Sequence, residues 1–223
     1  GMTQKQQTTT NVQESYAYCE QLAKAHYENF TVGSWLLPKA IRPSTFSLYA
    51  FCRTTDDLGD EAEGDRLTLL DNWEAELRLC YNGTPKHMIM VALQHTIQRH
   101  NIPPEPFLKL IEANRMDQHR MRYATFTDLL EYCDHSANPV GHMVLYVFGY
   151  SDKERQRLSD ATCTALQLAN FWQDVNRDYA KGRIYLPLED MKQFGYAEQE
   201  LASGTFTEQF RSLMEFEVSR AQS

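Results

Sequence analysis

The chain has 223 residues, is 42% hydrophobic and 23% charged, and carries a net charge of −8 with a pI near 5.4. That is enough length and apolar material for one packed domain, and no linker-like stretch divides it. The acidic balance argues against a nucleic-acid binder. No apolar run reaches the about 18 residues of a membrane span, and five cysteines without Cys-x-x-Cys spacing read as small buried hydrophobes in a reducing cytoplasm.

In chain order, Gly1 before Met2 and the polar stretch that follows read as a disordered tail over 1–13, outside a single domain of 14–223. Residues 14–29 read as a helix, broken by Pro38 and Pro43. Thr45 to about Gly59 is a strongly apolar helix, with Asp56 and Asp60 at its C-terminal end. Residues 65–82, 87–100 and 105–122 follow as helices, separated by Asn82-Gly83 and Pro103-Pro104. Residues 126–149 form a further helix, with Ser136, Ala137, Pro139 and Gly141 in its middle. A proline there costs roughly 3 kcal/mol and predicts a kink. The small neighbours serve either close helix packing or the wall of an apolar cavity. Residues 153–180 make another helix, ended by Lys181-Gly182. Phe210, Leu213, Met214 and Val218 line one face of a last amphipathic helix. No strand alternation is present, so the chain reads as all-α.

Two acidic constellations carry the chemistry. The first is Arg53-Thr-Thr-Asp-Asp-Leu-Gly-Asp-Glu61 and the second Asn170-Phe-Trp-Gln-Asp-Val-Asn-Arg-Asp178. Each holds Asp-x-x-x-Asp, which in a helix puts both carboxylates on one face. Such like-charge pairs destabilise an isolated helix by roughly 0.2–0.5 kcal/mol each, and acids at a helix C-terminus also oppose its dipole. Cations bound there would offset both. Asn170, Asp174 and Asp178 share one face and offer the hard oxygens that suit Mg²⁺. Arg53 forms either a local ion pair or a phosphate contact, and the basic Lys181-Gly182-Arg183 stretch is either a solvated turn or a loop that closes over an anion. Phe171 and Trp172 lie off the acidic face and are expected in the core. EF-hand, zinc-hydrolase, nucleophile-elbow and Walker patterns do not occur. Two metal-binding faces separated by aromatics suggest a magnesium cluster that holds a diphosphate leaving group beside a dry pocket for a carbocation.

Together these segments resemble the squalene/phytoene synthase family. The resemblance rests on Leu48-Tyr-Ala-Phe-Cys-Arg-Thr-Thr-Asp-Asp-Leu-Gly-Asp-Glu61, Tyr132-Cys to Val140-Gly141, Gln167 through Asp178, and Gly182-Arg-Ile-Tyr-Leu-Pro187. His26-Tyr-Glu-Asn-Phe30 and Asn170-Phe-Trp-Gln-Asp174 are most similar to the bacterial hopanoid-pathway branch, of the hydroxysqualene synthase type. The resemblance implies the all-α isoprenoid synthase fold, a helical bundle around a central apolar cavity. It implies an isoprenoid diphosphate substrate, presqualene diphosphate, whose cation is captured by water, with a Mg²⁺ cluster and no NADPH. Asp56, Asp60, Asn170, Asp174 and Asp178 would hold the metal. Arg53 and Arg183 would hold the diphosphate. Tyr132, Ser136, Ala137 and Gln167 would line the cavity near the reacting carbons, with Tyr185 in the closing loop. Many condensing members have Arg where Gln173 stands, which favours a one-diphosphate reaction over joining two prenyl diphosphates. Family members also run further in the C-terminal direction. Head-to-head prenyl transfer, a non-catalytic lipid-binding or assembly role, and calcium binding stay open as alternatives. Peripheral contact with a membrane is a further expectation, and oligomeric state is not legible.

Overall fold

A computed structural model describes residues 3–26, 37–120, 122–173, 178–179, 183–203 and 207–222. Its helices are α1 (Gln4–His26), α2 (Arg42–Asp60), α3 (Arg66–Asn82), α4 (Met88–His100), α5 (Glu105–His119), α6 (Phe126–Ser136), α7 (Asn138–Val147), α8 (Lys153–Gln173), α9 (Leu188–Gln193), α10 (Glu198–Ala202) and α11 (Glu208–Gln222). No strand occurs among the described residues; a single bridge pairs Tyr123 with Pro187. The all-α expectation is met. None of the described helices is long and apolar enough to cross a membrane.

Local sequence explains most boundaries. Pro43 enters α2 in its first turn, where its missing N–H costs nothing. Asp65 caps α3 by accepting from the Leu67 and Thr68 amides. Asn101 closes α4 in the left-handed conformation, with its amide bonded to the Ile97 carbonyl. Thr125 caps α6 through the Asp128 amide.

Three expectations need correction. The first helix starts at Gln4 rather than 14, which places most of the expected 1–13 tail within α1. No proline or glycine lies between Gln4 and His26 to end it sooner. The expected kinked helix over 126–149 is two helices, broken at Ala137. Pro139 cannot donate within a continuing helix, so it sits instead in the first turn of a new one. Finally, the helix expected over 105–122 ends at His119.

Helices α2 and α5 are central. Helix α2 packs against α1, α3, α4, α5 and α7, and α5 packs against α2, α3, α6 and α7. One apolar core joins α1 to α5 and includes Phe51, Trp73, Leu93 and Phe107. A second joins α6, α8, the 184–186 segment and the C-terminal helices, and includes Leu129, Leu168, Leu186 and Leu213. Helix α5 feeds both, with Leu110 and Ile111 in one and Ala113 in the other. A cavity opens along this seam. The 183–188 segment is tied beside it by the Leu188 and Glu189 amides, which donate to the Tyr123 and Ala124 carbonyls.

Candidate active site

The cavity encloses about 490 Å³. Helix α2 supplies Asp56 and Asp60; α5 supplies Leu110, Ala113, Asn114 and Asp117; α6 and the break after it supply Tyr132, Ser136 and Ala137. Val140, Cys163, Gln167, Phe171, Asp178, Arg183 and Tyr185 complete the wall. Carboxylates from two stretches more than a hundred residues apart therefore face one space.

Close packing sets the acidic wall. Gly59 is buried against Asn114: a Cβ at position 59 would lie 2.1 Å from Asn114 Oδ1. This approach lets Asn114 Nδ2 donate to Asp56 Oδ1 at 3.1 Å and to the Leu110 carbonyl at 3.1 Å. Gln118 Nε2 donates to the Gly59 carbonyl at 2.8 Å, holding the end of α2 against α5. The opposite seam is equally tight. A Cβ on Gly141 would lie 2.3 Å from Ser159 Oγ and 2.9 Å from Cys163 Sγ, so α7 and α8 meet closely there.

The charges are linked across the cavity. Arg183 is only 8% exposed, and its Nη1 donates to Asp60 Oδ1 at 2.6 Å. Asp117, 5% exposed, accepts from the Tyr132 hydroxyl at 2.7 Å and from the Tyr185 hydroxyl at 2.9 Å, one on each oxygen. Asp56 keeps solvent contact through the cavity. Even so, protein crowded around its carboxyl removes water and raises its pKa to about 6, with Asp60, Asp117 and Asp57 adding repulsion and Asn114 opposing. Burial also raises Asp117 to about 6, against the pull of Arg183 and the two tyrosines. Burial acts to lower the Arg183 pKa, but hydrogen bonding to Asp60 and the nearby Asp117 charge outweigh it and drive it upward. Acids held in this way are set to gain from a cation.

The aromatic wall lies next to the acids. Phe171 and Tyr185 stack with ring centroids 4.0 Å apart and planes 7° apart. Tyr132 lies 5.8 Å from Phe171 and 5.4 Å from Tyr185. Phe171, expected in the core off the acidic face, is half-buried, packs against the second core and also forms cavity wall, while the side chain of Trp172 lies outside the described residues. Ser136 Oγ donates to Gln167 Oε1 at 2.6 Å, joining α6 to α8 at the same surface.

Of the residues singled out by sequence, Asp56, Asp60, Tyr132, Ser136, Ala137, Gln167, Asp178, Arg183 and Tyr185 line this one cavity. Arg53 does not. Its Nε pairs with Asp57 at 3.2 Å, both side chains being more than one-third exposed. Asp174, the 27–30 part of the His26–Phe30 segment, and Lys181-Gly182 lie outside the described residues, as does the side chain of Asn170. Sequence reading missed Asn114 and Asp117. The available signal was their place on the apolar stripe of α5, beside Leu110 and Ala113, where a polar side chain needs a reason.

The donor set can be tested against Mg²⁺. Among the described residues, no group of three or more His, Cys, Asp or Glu closes around a point. Mg²⁺ does not require such a cage, because it keeps several waters and binds through one or two carboxylates plus substrate phosphates. Asp56, Asp60 and Asp178 supply hard oxygens of that kind, so these residues fit the ion.

The sequence profile of the squalene/phytoene synthase family matches residues 23–223. The crystal structure of squalene synthase HpnC from Alicyclobacillus acidocaldarius is 49% identical, superimposes with a TM-score of 0.90, and pairs 96% of this chain with 81% of that one. A dehydrosqualene synthase solved with a ligand is 30% identical, with a TM-score of 0.82 over 96% of this chain and 76% of that one. The 15-cis-phytoene synthase of Synechococcus elongatus is 35% identical over 226 aligned positions, which span 95% of this chain and 73% of that protein. With its helical fold, its shared acidic cavity and a family match across nearly its whole length, this chain belongs to the squalene/phytoene synthase family.

Proposed function

We propose that this chain is a Mg²⁺-dependent hydroxysqualene synthase, converting presqualene diphosphate and water to hydroxysqualene and diphosphate. The observation that carries the reading is that one cavity is lined both by acidic and cationic groups (Asp56, Asp60, Asp178, Arg183) and by apolar and aromatic ones (Leu110, Ala113, Val140, Phe171). A diphosphate ester of a long hydrocarbon needs both at once. The higher identity to the HpnC structure than to the phytoene synthases supports the hopanoid branch. The uncharged Gln173 supports a reaction on a single diphosphate.

Bound Mg²⁺, held by Asp56, Asp60, Asn170, Asp174 and Asp178, would supply the positive charge that makes diphosphate a good leaving group. Arg183 would donate to the same oxygens, exchanging its contact with Asp60 for one with substrate. The ring faces of Phe171, Tyr132 and Tyr185 stabilise a cyclopropylcarbinyl cation as it forms and rearranges. The close helix packing at Gly141 narrows the wall around the hydrocarbon and limits entry of bulk water. Ser136, Ala137 and Gln167 position the chain near the reacting carbons.

The curated relatives favour a second reading. Phytoene synthases of Synechococcus elongatus and Synechocystis, 35% and 36% identical, are among them, which supports head-to-head prenyl transfer as the alternative. One experiment separates the two. Supplied with Mg²⁺ and presqualene diphosphate, without NADPH, the protein should release diphosphate and form hydroxysqualene. Supplied with farnesyl or geranylgeranyl diphosphate alone, it should form no coupled product. Formation of presqualene diphosphate, squalene or phytoene from those substrates would replace the first reading with the second.

A further inference from the structure

Release of diphosphate explains the acidic half of the cavity but not Asp117. This carboxylate is buried where the charged and aromatic groups meet, with both oxygens taken by tyrosine hydroxyls. We propose that Tyr132 orients the water that captures the carbocation, and that Asp117 receives that water's proton through the Tyr132 hydroxyl. The inference rests on the reading above that an alcohol is the product.

The geometry supports it in three ways. First, the only proton on the Tyr132 hydroxyl is donated to Asp117 Oδ2 at 2.7 Å. What the oxygen offers a neighbour is therefore its remaining lone pair, which accepts from a water O–H. Second, Tyr132 and Asp117 both line the cavity, and Tyr132 sits among the rings that face the hydrocarbon. A water held there would lie next to these rings. Third, the Tyr185 hydroxyl fixes the other carboxylate oxygen at 2.9 Å, so Asp117 cannot swing away. Nearby Ser136 and Gln167 form a neutral pair at 2.6 Å. That pair can hold a water but has no basic group to take a proton.

The step balances as follows. A lone pair on the water oxygen forms the new C–O bond at the cationic carbon. One water O–H bond breaks, and its proton passes to Tyr132 Oη as the phenol's own proton moves to Asp117 Oδ2. Carbocation, water, phenol and carboxylate become alcohol, phenol and carboxylic acid. The acid returns its proton to solvent once product has left. Tyr132 touches the reacting water and is catalytic in this scheme; Asp117 acts through it and is a positioning residue.

The test compares Tyr132→Phe and Asp117→Asn with the unaltered protein on presqualene diphosphate and Mg²⁺, measuring diphosphate released and hydroxysqualene formed. Both variants should lower hydroxysqualene per diphosphate by about a hundredfold, the lower end of what a positioned proton acceptor contributes. Elimination hydrocarbons or isomeric alcohols should make up the difference. An unchanged ratio in Tyr132→Phe overturns the relay and points to diphosphate as proton acceptor. Diphosphate release lost in step with the alcohol also overturns it, since the hydroxyl would then serve ionisation. If Asp117→Asn does not fold by thermal melt, Tyr132→Phe decides alone, because it keeps the ring. An unaltered protein that makes no alcohol overturns the underlying reading and this step with it; a normal unaltered protein with unaffected variants overturns this step only.

Discussion

Arg183 and Asp60 lie 123 positions apart and meet at 2.6 Å, the first across a loop and the second on the last turn of α2. The pair joins the segment after the second acidic motif to the helix that carries the first. It is a positive charge buried beside a carboxylate that keeps one-third of its side chain exposed.

Replacing Arg183 with Ala should cost about 1–3 kcal/mol of stability, less than a fully buried pair because Asp60 keeps some water. Urea unfolding reads this directly. Arg183→Lys keeps the charge but loses the planar fork, so it should fold normally while the KM for a diphosphate substrate rises severalfold. An unchanged KM in that variant would remove Arg183 from substrate binding.

Chelating divalent ions should abolish diphosphate release, and added Mg²⁺ should restore it. Asp56→Ala and Asp178→Ala should each slow release by about 10²–10³-fold with the helical fold intact, as loss of charge stabilisation at a leaving group predicts. Phosphate-release assays and circular dichroism give both readouts. Full activity in EDTA would end the metal proposal.

Gly59→Ala tests the packing that supports Asp56. The added methyl would collide with Asn114, whose amide holds the Asp56 carboxylate. Overpacking should cost about 1–3 kcal/mol and weaken turnover beyond that loss, because Asn114 must move. Asn114→Ala relieves the collision, so the double variant should recover much of the melting temperature while turnover stays low. Additive losses in the double variant would count against this coupling.

A separate cluster predicts how stability follows pH. Glu217 on α11 is fully buried, and its Oε2 accepts from Arg220 at 3.0 Å. Arg220 also pairs with Asp190 on α9. Burial and the adjacent Asp190 raise the Glu217 pKa from 4.5 to about 8, with Arg220 opposing. The folded protein then keeps a proton that the unfolded chain loses above about 4.5. This contribution is full below that pH, declines as pH rises toward about 8, and is level beyond. Glu217→Gln should flatten the decline in melting temperature between those limits. A slope equal to that of the unaltered protein would show that the pair does not hold the proton.

Much of the fold was legible because its signals are local. Helices α2 through α5 follow apolar periodicity punctuated by Asn82-Gly83 and Pro103-Pro104, and each signal rests on neighbours a few residues away. Errors arose where local signals conflict or fall silent. At Pro139 the apolar pattern continues on both sides while the backbone cannot, so one expected helix became two. In α1 the residues before 14 are polar, yet nothing among them stops a helix.

The candidate site divides along the same line. Spacing alone marked Asp56 with Asp60 and Asn170 with Asp174 and Asp178, because helical periodicity fixes which side chains share a face. Only the tertiary structure brought Asp56, Asp60 and Asp178 to one cavity, turned Arg53 to Asp57 and Arg183 to Asp60, and set Asp117 beneath two tyrosines. Those relationships depend on which helices pack together, and a lone aspartate on an apolar stripe acquires a role only when distant phenols arrive beside it.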